Sequence, residues 1–211
     1  MAARPAAAED VQAWPGLLVS GAPRPGGVAV WGEAQLRFDD DVSRLLNKNL
    51  RVGIGREWEG GRSLYGGYAW FQTDQLGRST THEHRTWQQA GFPLLRRGPL
   101  RVTARLRLEQ RFREEAADVA WRLRSQVRLV RRLGGEDAPG LVLQSELFTE
   151  FADTRWGVRA RAYDQVRTFA GVNLPLSKKL SLDTGYQNQS YAGDERSGPN
   201  HIWLTQAAFR F

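Results

Sequence analysis

The sequence of 211 residues contains no cysteine and no apolar run near the roughly 20 residues that a membrane helix requires. Without cysteine, the chain can form no disulfide scaffold, thiolate metal site or cysteine nucleophile. It also lacks a glycine-rich phosphate loop before a helix and a Gly-x-Ser-x-Gly elbow, which argues against nucleotide use and an α/β-hydrolase site. Membrane crossing by strands stays open, because barrel strands alternate in polarity and need only about 10 residues each.

The N-terminal segment lacks the long apolar core of a complete signal peptide. Ala6, Ala7 and Ala8 precede Glu9 and resemble a small-residue cleavage site. We therefore expect residues 1–9 to be a disordered N-terminus or a processing remnant. Residues 10–211 are expected to form one β domain, for which the length suffices.

The segment from Arg101 to Phe112 alternates between polar and apolar residues, with Gln110 as the exception. In an extended strand, successive side chains point to opposite faces, whereas a helix would spread these arginines around its cylinder. The segment is therefore predicted to be a strand with one charged face and one apolar face. The charged face carries Arg101, Thr103, Arg105, Arg107, Glu109 and Arg111, and the apolar face carries Val102, Ala104, Leu106, Leu108 and Phe112.

Four further segments follow the same rule, which predicts a sheet of amphipathic strands. Candidate strands lie near 11–20, 28–38, 50–58, 64–74, 79–90, 100–112, 119–132, 141–151, 158–175, 180–190 and 201–211. Asp39 to Leu46 is interpreted as a helical turn. The predicted fold is all-β: a single up-and-down antiparallel transmembrane β-barrel. A water-soluble β-sandwich or lipocalin-like barrel, with its apolar faces packed inward, is the alternative.

The eleven candidate strands conflict with the even number that single-chain bacterial barrels have. An extra strand within 153–175 would give twelve, which we favour. Ten would result if Val11 to Ser20, which contains Pro15, were a plug or an edge.

The formal net charge is +7, and arginine supplies most of the positive charge. The arginines form neither a basic tail nor a helix face, which argues against nucleic acid as a partner. If the apolar faces meet lipid, charged side chains line the interior. The predicted lining residues are Arg37, Arg85, Arg105, Arg107, Arg111, Arg122, Arg124, Arg128, Arg167, Glu33, Glu109 and Glu146, with Glu150 beside them.

Two interpretations of this charged interior remain open. If Arg85 is left out and Glu150 is included, the predicted lining has eight arginines and four glutamates. Full pairing would then leave a surplus of four positive charges, which would favour a lumen that attracts small anionic solutes or acidic sugars. Full pairing would instead give a rigid, closed structural barrel without transport. Trp31 and Trp87 are candidates for stacking on a sugar if they face inward.

Histidine offers little evidence of catalysis or metal binding. His82 and His84 share one face of a strand, but no third metal ligand with convincing spacing is present, so neither a metal nor a cofactor is assigned. His84 is the candidate base of a membrane-embedded lipid hydrolase, which is a less favoured alternative. No catalytic residue is assigned, and a non-enzymatic role is favoured.

Several blocks resemble one bacterial family, the domain of unknown function 2490, which comprises small barrels expected in the outer membrane. The blocks are Glu83-His84-Arg85, Trp87-Gln88-Gln89, Arg105 to Phe112, Arg122-Leu123-Arg124, Glu146-Leu147-Phe148, Gly185 to Gln189, the Phe38 region and Phe211. The resemblance extends over nearly the whole chain from Trp14. It implies outer-membrane lipid as surroundings and carries over no catalytic residue.

Two further expectations concern partners. A terminal strand that ends in Phe211 resembles the signal by which outer-membrane barrels reach the barrel-assembly machinery. A looser similarity, of fold and charge alone, links the chain to small monomeric porins for acidic oligosaccharides.

Overall fold

The computed structural model describes residues 11–24, 26–135, 137–192 and 199–211. The prediction for residues 1–9 lies outside this part of the chain. The described residues form eleven strands: Val11–Gly21 (β1), Val28–Asp39 (β2), Arg44–Glu57 (β3), Ser63–Thr73 (β4), Thr81–Arg97 (β5), Leu100–Arg113 (β6), Val119–Arg132 (β7), Gly140–Glu150 (β8), Arg161–Pro175 (β9), Leu180–Tyr191 (β10) and Asn200–Arg210 (β11).

The strands form one closed barrel in which each strand pairs with its neighbours in sequence. These pairings are antiparallel, and the barrel is closed by a parallel pairing of β1 with β11. The parallel closure follows from the odd count, because the first and last strands of an eleven-stranded meander run in the same direction. The all-β closed barrel is confirmed.

The prediction of twelve strands, or of ten, is wrong. No twelfth strand is found in the described part of 153–175, because residues 151–160 form an irregular loop before β9. The segment with Pro15 is a full strand: it pairs with β11 from Val11 to Ser20. It also pairs with β2 at Ala13 and from Gly16 to Gly21, and this pairing is interrupted at Trp14 and Pro15. Proline has no N–H to donate, so it weakens one side of the ladder without ending the strand.

The loops gather at two ends of the barrel, which we call rim A and rim B. Rim A holds residues 40–43, 74–80, 114–118 and 151–160, and rim B holds 22–24, 26–27, 58–62, 98–99, 133–135, 137–139 and 176–179. The helical turn predicted from Asp39 to Leu46 is wrong, because Asp40, Asp41 and Val42 have positive φ and make a tight turn between β2 and β3. Within the described ranges, no helix has the length and apolar character to cross a membrane.

The two faces of the barrel wall have opposite polarity. Large apolar side chains on the outer face are solvent-exposed, among them Leu50, Ile54, Leu106, Leu143 and Trp203. The side chains buried within the barrel include many that are charged or amide-bearing. Alternation along each strand produces this arrangement, which is the inverse of a water-soluble sheet protein.

Candidate functional site: an arginine-lined vestibule

Like charges stand directly opposite one another on the inner face of neighbouring strands. Arg85 pairs in register with Arg111 across β5 and β6, and Arg107 pairs with Arg124 across β6 and β7. Such cross-strand pairs are destabilising unless opposite charges separate them. Glu83 does so for the first pair, because it accepts hydrogen bonds from Arg85 and Arg111 at 2.6 and 2.7 Å. Glu109 accepts hydrogen bonds from Arg85 and Arg124, each at 3.0 Å, and so binds one member of each pair.

Further carboxylates extend this arrangement into a continuous network over β5 to β8. Arg124 binds Glu146 through two parallel hydrogen bonds of 3.0 and 2.9 Å. Arg111 binds Glu83 in the same forked manner, at 2.7 and 3.0 Å. Glu150 bridges Arg111 and Arg122. A planar guanidinium matches a carboxylate at two points, so this network holds one half of the inner wall rigid.

The opposite half of the interior is filled by aromatic rings. Trp31, Tyr65 and Trp87 meet edge to face, with ring centres 5.5 and 6.3 Å from that of Trp31. Trp87 is 1% exposed and lies over two glycines, where a Cβ on Gly53 or Gly67 would come within 2.7 Å of its ring. These rings and Arg107 together fill the middle of the barrel. Trp87 therefore faces inward, but it is too enclosed to stack on a sugar.

A cavity of about 350 Å³ opens towards rim A above this filled layer. We call it the vestibule. Its carboxylates are Glu83 and Asp164. Its guanidinium groups come from Arg37, Arg51, Arg85, Arg111, Arg113, Arg122, Arg124 and Arg167. The lining is therefore strongly basic, and a concave wall of one sign concentrates counter-ions.

Several inner arginines, among them Arg107, Arg37 and Arg167, have no carboxylate within salt-bridge distance among the described residues. Arg107 donates to the Gln89 amide oxygen at 2.9 and 2.6 Å. Arg37 donates to Gln35 at 2.9 Å. Arg167 lies beside Gln165, whose amide oxygen, turned towards it, accepts at 2.6 and 3.1 Å. The surplus of positive charge thus resides on specific residues, three of which line the vestibule: Arg37, Arg167 and Arg113, whose hydrogen-bond partner is the Trp156 carbonyl oxygen.

The structure places the predicted interior residues on the inner face, but at different depths. Arg37, Arg85, Arg111, Arg122, Arg124 and Arg167 line the vestibule. Arg105, Glu33 and Glu146 line a smaller cavity of about 100 Å³ beneath it. Arg107 and Glu109 are each 1% exposed and lie in the layer that fills the middle of the barrel. Arg128 lies lower still and binds Asp183 at 2.8 Å.

Sequence reasoning missed several residues of this site. Arg51 and Glu83 lie on the inner face, where Arg51 binds Glu33. Their alternate positions on β3 and β5 carry the signal that could have identified them. Trp14 is 3% exposed and faces inward. No local pattern marks it as a neighbour of Arg37 and Arg167, because that contact joins three strands.

His84 lies on the outer wall rather than in the vestibule. In the described chain its hydrogen-bonding partners are Tyr68 and Glu114, and no serine contacts it. His82 also bonds Glu114, at 3.0 Å. No three or more His, Asp or Glu side chains of the described residues are grouped as a metal site. The geometry gives the hydrolase hypothesis no nucleophile.

Two exposed carboxyls at rim A have depressed pKa values. The hydrogen bond with His84 lowers the pKa of Glu114, with His82 contributing further. Arg155 lowers the pKa of Asp118 through two side-chain hydrogen bonds of 2.9 and 3.0 Å and one from its backbone N–H of 2.8 Å. Asp118 therefore ties the loop at 114–118 to the loop at 151–160, and Glu114 ties the loop at 114–118 to β5.

Comparison with known proteins gives a family but no activity. A family model described as a protein of unknown function, DUF2490, matches residues 11–198. An uncharacterised protein of Methylorubrum extorquens is 33% identical over 186 residues, which cover 86% of this chain and 79% of the relative. No solved structure matches the chain.

Proposed function

The chain belongs to the DUF2490 family, and from this premise and the vestibule we propose that it is an outer-membrane barrel that binds small anionic solutes. The single observation that carries the proposal is the composition of the vestibule, eight arginines against two carboxylates. Three of those arginines, Arg37, Arg113 and Arg167, have no carboxylate partner in the described chain. Unneutralised guanidinium groups in a concave cavity favour an anionic ligand.

The polarity of the barrel wall supports placement in a membrane. In water, an outer face that exposes Leu50, Ile54 and Leu143 would be an unusually large apolar surface. Polar groups on that face satisfy one another: Gln88 and Gln110 exchange hydrogen bonds of 3.2 and 3.1 Å, and Thr184 bonds Thr205 at 3.0 Å. Hydrocarbon imposes this requirement, because it offers no water to pair with polar groups.

Exposed aromatic residues support the same placement. Tyr68, Trp121, Tyr186 and Trp203 are all more than two-fifths exposed on the outer wall. Trp and Tyr favour the headgroup level of a bilayer. The proposed recognition of Phe211 by the barrel-assembly machinery belongs to this outer-membrane role.

The filled middle of the barrel favours binding over free passage. Trp87, Arg107 and Glu109 are each 1% exposed there. The same layer supports a second candidate function, a closed structural barrel, because forked ion pairs rigidify the wall irrespective of any ligand. The two candidates differ in one property: a structural barrel has no need for uncompensated arginines at the vestibule.

Cell fractionation and planar-bilayer recording test the proposal together. We expect the protein in the outer-membrane fraction and extractable only with detergent; release into buffer alone would overturn the membrane role. In a bilayer under a salt gradient, an anion-selective current that weakens in Arg37→Gln/Arg167→Gln supports passage through the vestibule. A folded barrel that conducts no current but binds anions supports a binding site without a continuous pore. A folded barrel that neither conducts nor binds anions supports the structural barrel.

A further inference from the structure

Arg37 and Arg167 approach the same indole ring from different strands. The guanidinium carbon of Arg37 lies 4.0 Å from the Trp14 ring centre, and that of Arg167 lies 4.9 Å from it. Arg167 is also 4.7 Å from the Phe148 ring. Stacking on aromatic faces fixes the orientation of a guanidinium group without neutralising its charge.

The neutral partners of these two arginines leave donor groups free for a ligand. The side-chain oxygen of Gln35 accepts a hydrogen bond from the Nε–H of Arg37. That of Gln165 accepts hydrogen bonds from the Nε–H and one terminal N–H of Arg167. Each guanidinium carries five N–H donors. Donors therefore remain on both side chains, and both side chains line the vestibule.

The two arginines also mark a junction between cavities. Both line the vestibule and the smaller cavity beneath it, and Arg51 and Arg124 share that position. Arg51 is bound to Glu33, and Arg124 to Glu109 and Glu146. At the junction, therefore, two arginines are neutralised within the protein and two are not.

We infer that Arg37 and Arg167 form a two-point site for small dianions at the floor of the vestibule. The inference rests on the proposed function and specifies its ligand. A monoanion neutralises one of the two guanidinium groups and leaves the other uncompensated, whereas a dianion neutralises both. Dicarboxylates and hydrogen phosphate share this chemistry, and the cavity of about 350 Å³ admits molecules of their size.

Binding of matched anions to the refolded full-length chain in detergent micelles tests the inference by isothermal titration calorimetry. Succinate and hydrogen phosphate at pH 8 are the dianions, and butyrate is a monoanion of similar size to succinate. We expect at least one dianion to bind about tenfold or more tightly than butyrate. Arg37→Gln and Arg167→Gln should each weaken that dianion ~10- to 100-fold, the range of a lost charge-assisted contact, and should remove its advantage over butyrate.

Control variants separate this site from a general effect of charge. Arg97→Gln and Arg131→Gln each remove one exposed positive charge near rim B, and we expect both to leave the affinities within about twofold, since exposed charges beyond a Debye length are screened. Arg37→Lys keeps the charge and loses the planar fork, so it should recover only part of the affinity. Circular dichroism and heat modifiability on gels confirm that each variant is folded.

The outcomes distinguish this inference from the proposed function. Equal affinities for the dianions and butyrate would overturn the dianion site while leaving anion binding intact. An equal loss in Arg97→Gln and Arg37→Gln would also overturn it, because the effect would then be long-range. Absence of binding by all three anions would overturn both proposals. Preference for succinate or for phosphate identifies which dianion the two arginines accept.

Discussion

Arg107 and Arg124 lie directly opposite each other on β6 and β7, and only Arg124 is bound to carboxylates. Both side chains are buried, at 1% and 6% exposure. Arg107 instead contacts the Gln89 amide and lies 5.0 and 5.6 Å from the ring centres of Trp87 and Trp31. A like-charged pair is thus held by giving one member anionic partners and the other an aromatic and amide environment.

Replacement of each arginine by methionine should therefore have unequal effects. Arg124→Met leaves Glu109 and Glu146 with fewer partners in a buried setting, and we expect a loss of about 3 kcal/mol in the free energy of unfolding. Arg107→Met removes the like charge and leaves only the Gln89 amide without its partner, so the free energy of unfolding should fall by about 1 kcal/mol or less. Urea unfolding from lipid vesicles measures both; equal losses would contradict the assignment of partners.

Gly53→Ala should destabilise the barrel by overpacking. The new Cβ would lie 2.6 Å from the Trp87 ring and 2.8 Å from the Gly66 carbonyl oxygen, and such overpacking costs about 1–3 kcal/mol. Gly135→Ala, which meets no atom within 4 Å, is the control. Thermal unfolding compares the two. If Trp87→Leu added to Gly53→Ala failed to recover any stability, contact with the ring would not be the cause.

Leu106→Arg tests the outer wall as a lipid-facing surface. Leu106 is 42% exposed in the middle of β6, where an arginine facing hydrocarbon costs about 2–4 kcal/mol. Leu133→Arg, at rim B and 63% exposed, should be far milder. The folded fraction in vesicles over a urea series measures the difference. A water-soluble barrel would tolerate both substitutions equally, which would refute the membrane placement.

The contact of Asp118 with Arg155 should fade in acid. Because the folded-state pKa of Asp118 is depressed, its stabilising effect is full above the ordinary value of 3.8 and is lost as pH falls through the lower folded value. Hydrogen exchange of the Arg155 amide, which donates to Asp118, reports the contact. Protection should decline below about pH 4 in the wild type and be weak throughout in Asp118→Asn. Protection that does not vary with pH would contradict the contact.

Much of the inner wall could be predicted from alternation alone. The period of two assigned Arg105, Arg107 and Glu109 to one face and Leu106 and Leu108 to the other, and the structure has the same division. The same pattern gave eleven candidate strands, which is the number the structure has, and the even number usual for bacterial barrels led to the wrong choice of twelve. The parallel closure of β1 on β11 could not be predicted in this way, because no segment of the sequence records which distant strand it pairs with.

The local sequence pattern also could not predict which arginines lack a carboxylate partner. Counting charges on the inner face gave a surplus but did not locate it. Arg37, Arg128 and Arg167 have the same alternating context, yet Arg128 binds Asp183 while the other two contact Trp14. Register between distant strands decides which partner lies within reach.

By itself, the sequence determined that this protein is a sheet of amphipathic strands with arginines and glutamates on one face, because side-chain alternation is a local consequence of strand geometry. Only the tertiary structure decided how the sheet closes, that Trp87 fills the middle, and that Arg37 and Arg167 line the vestibule without a carboxylate partner among the described residues. Those features depend on which side chains meet across the barrel, and such meetings are set by register and volume over the whole closed sheet.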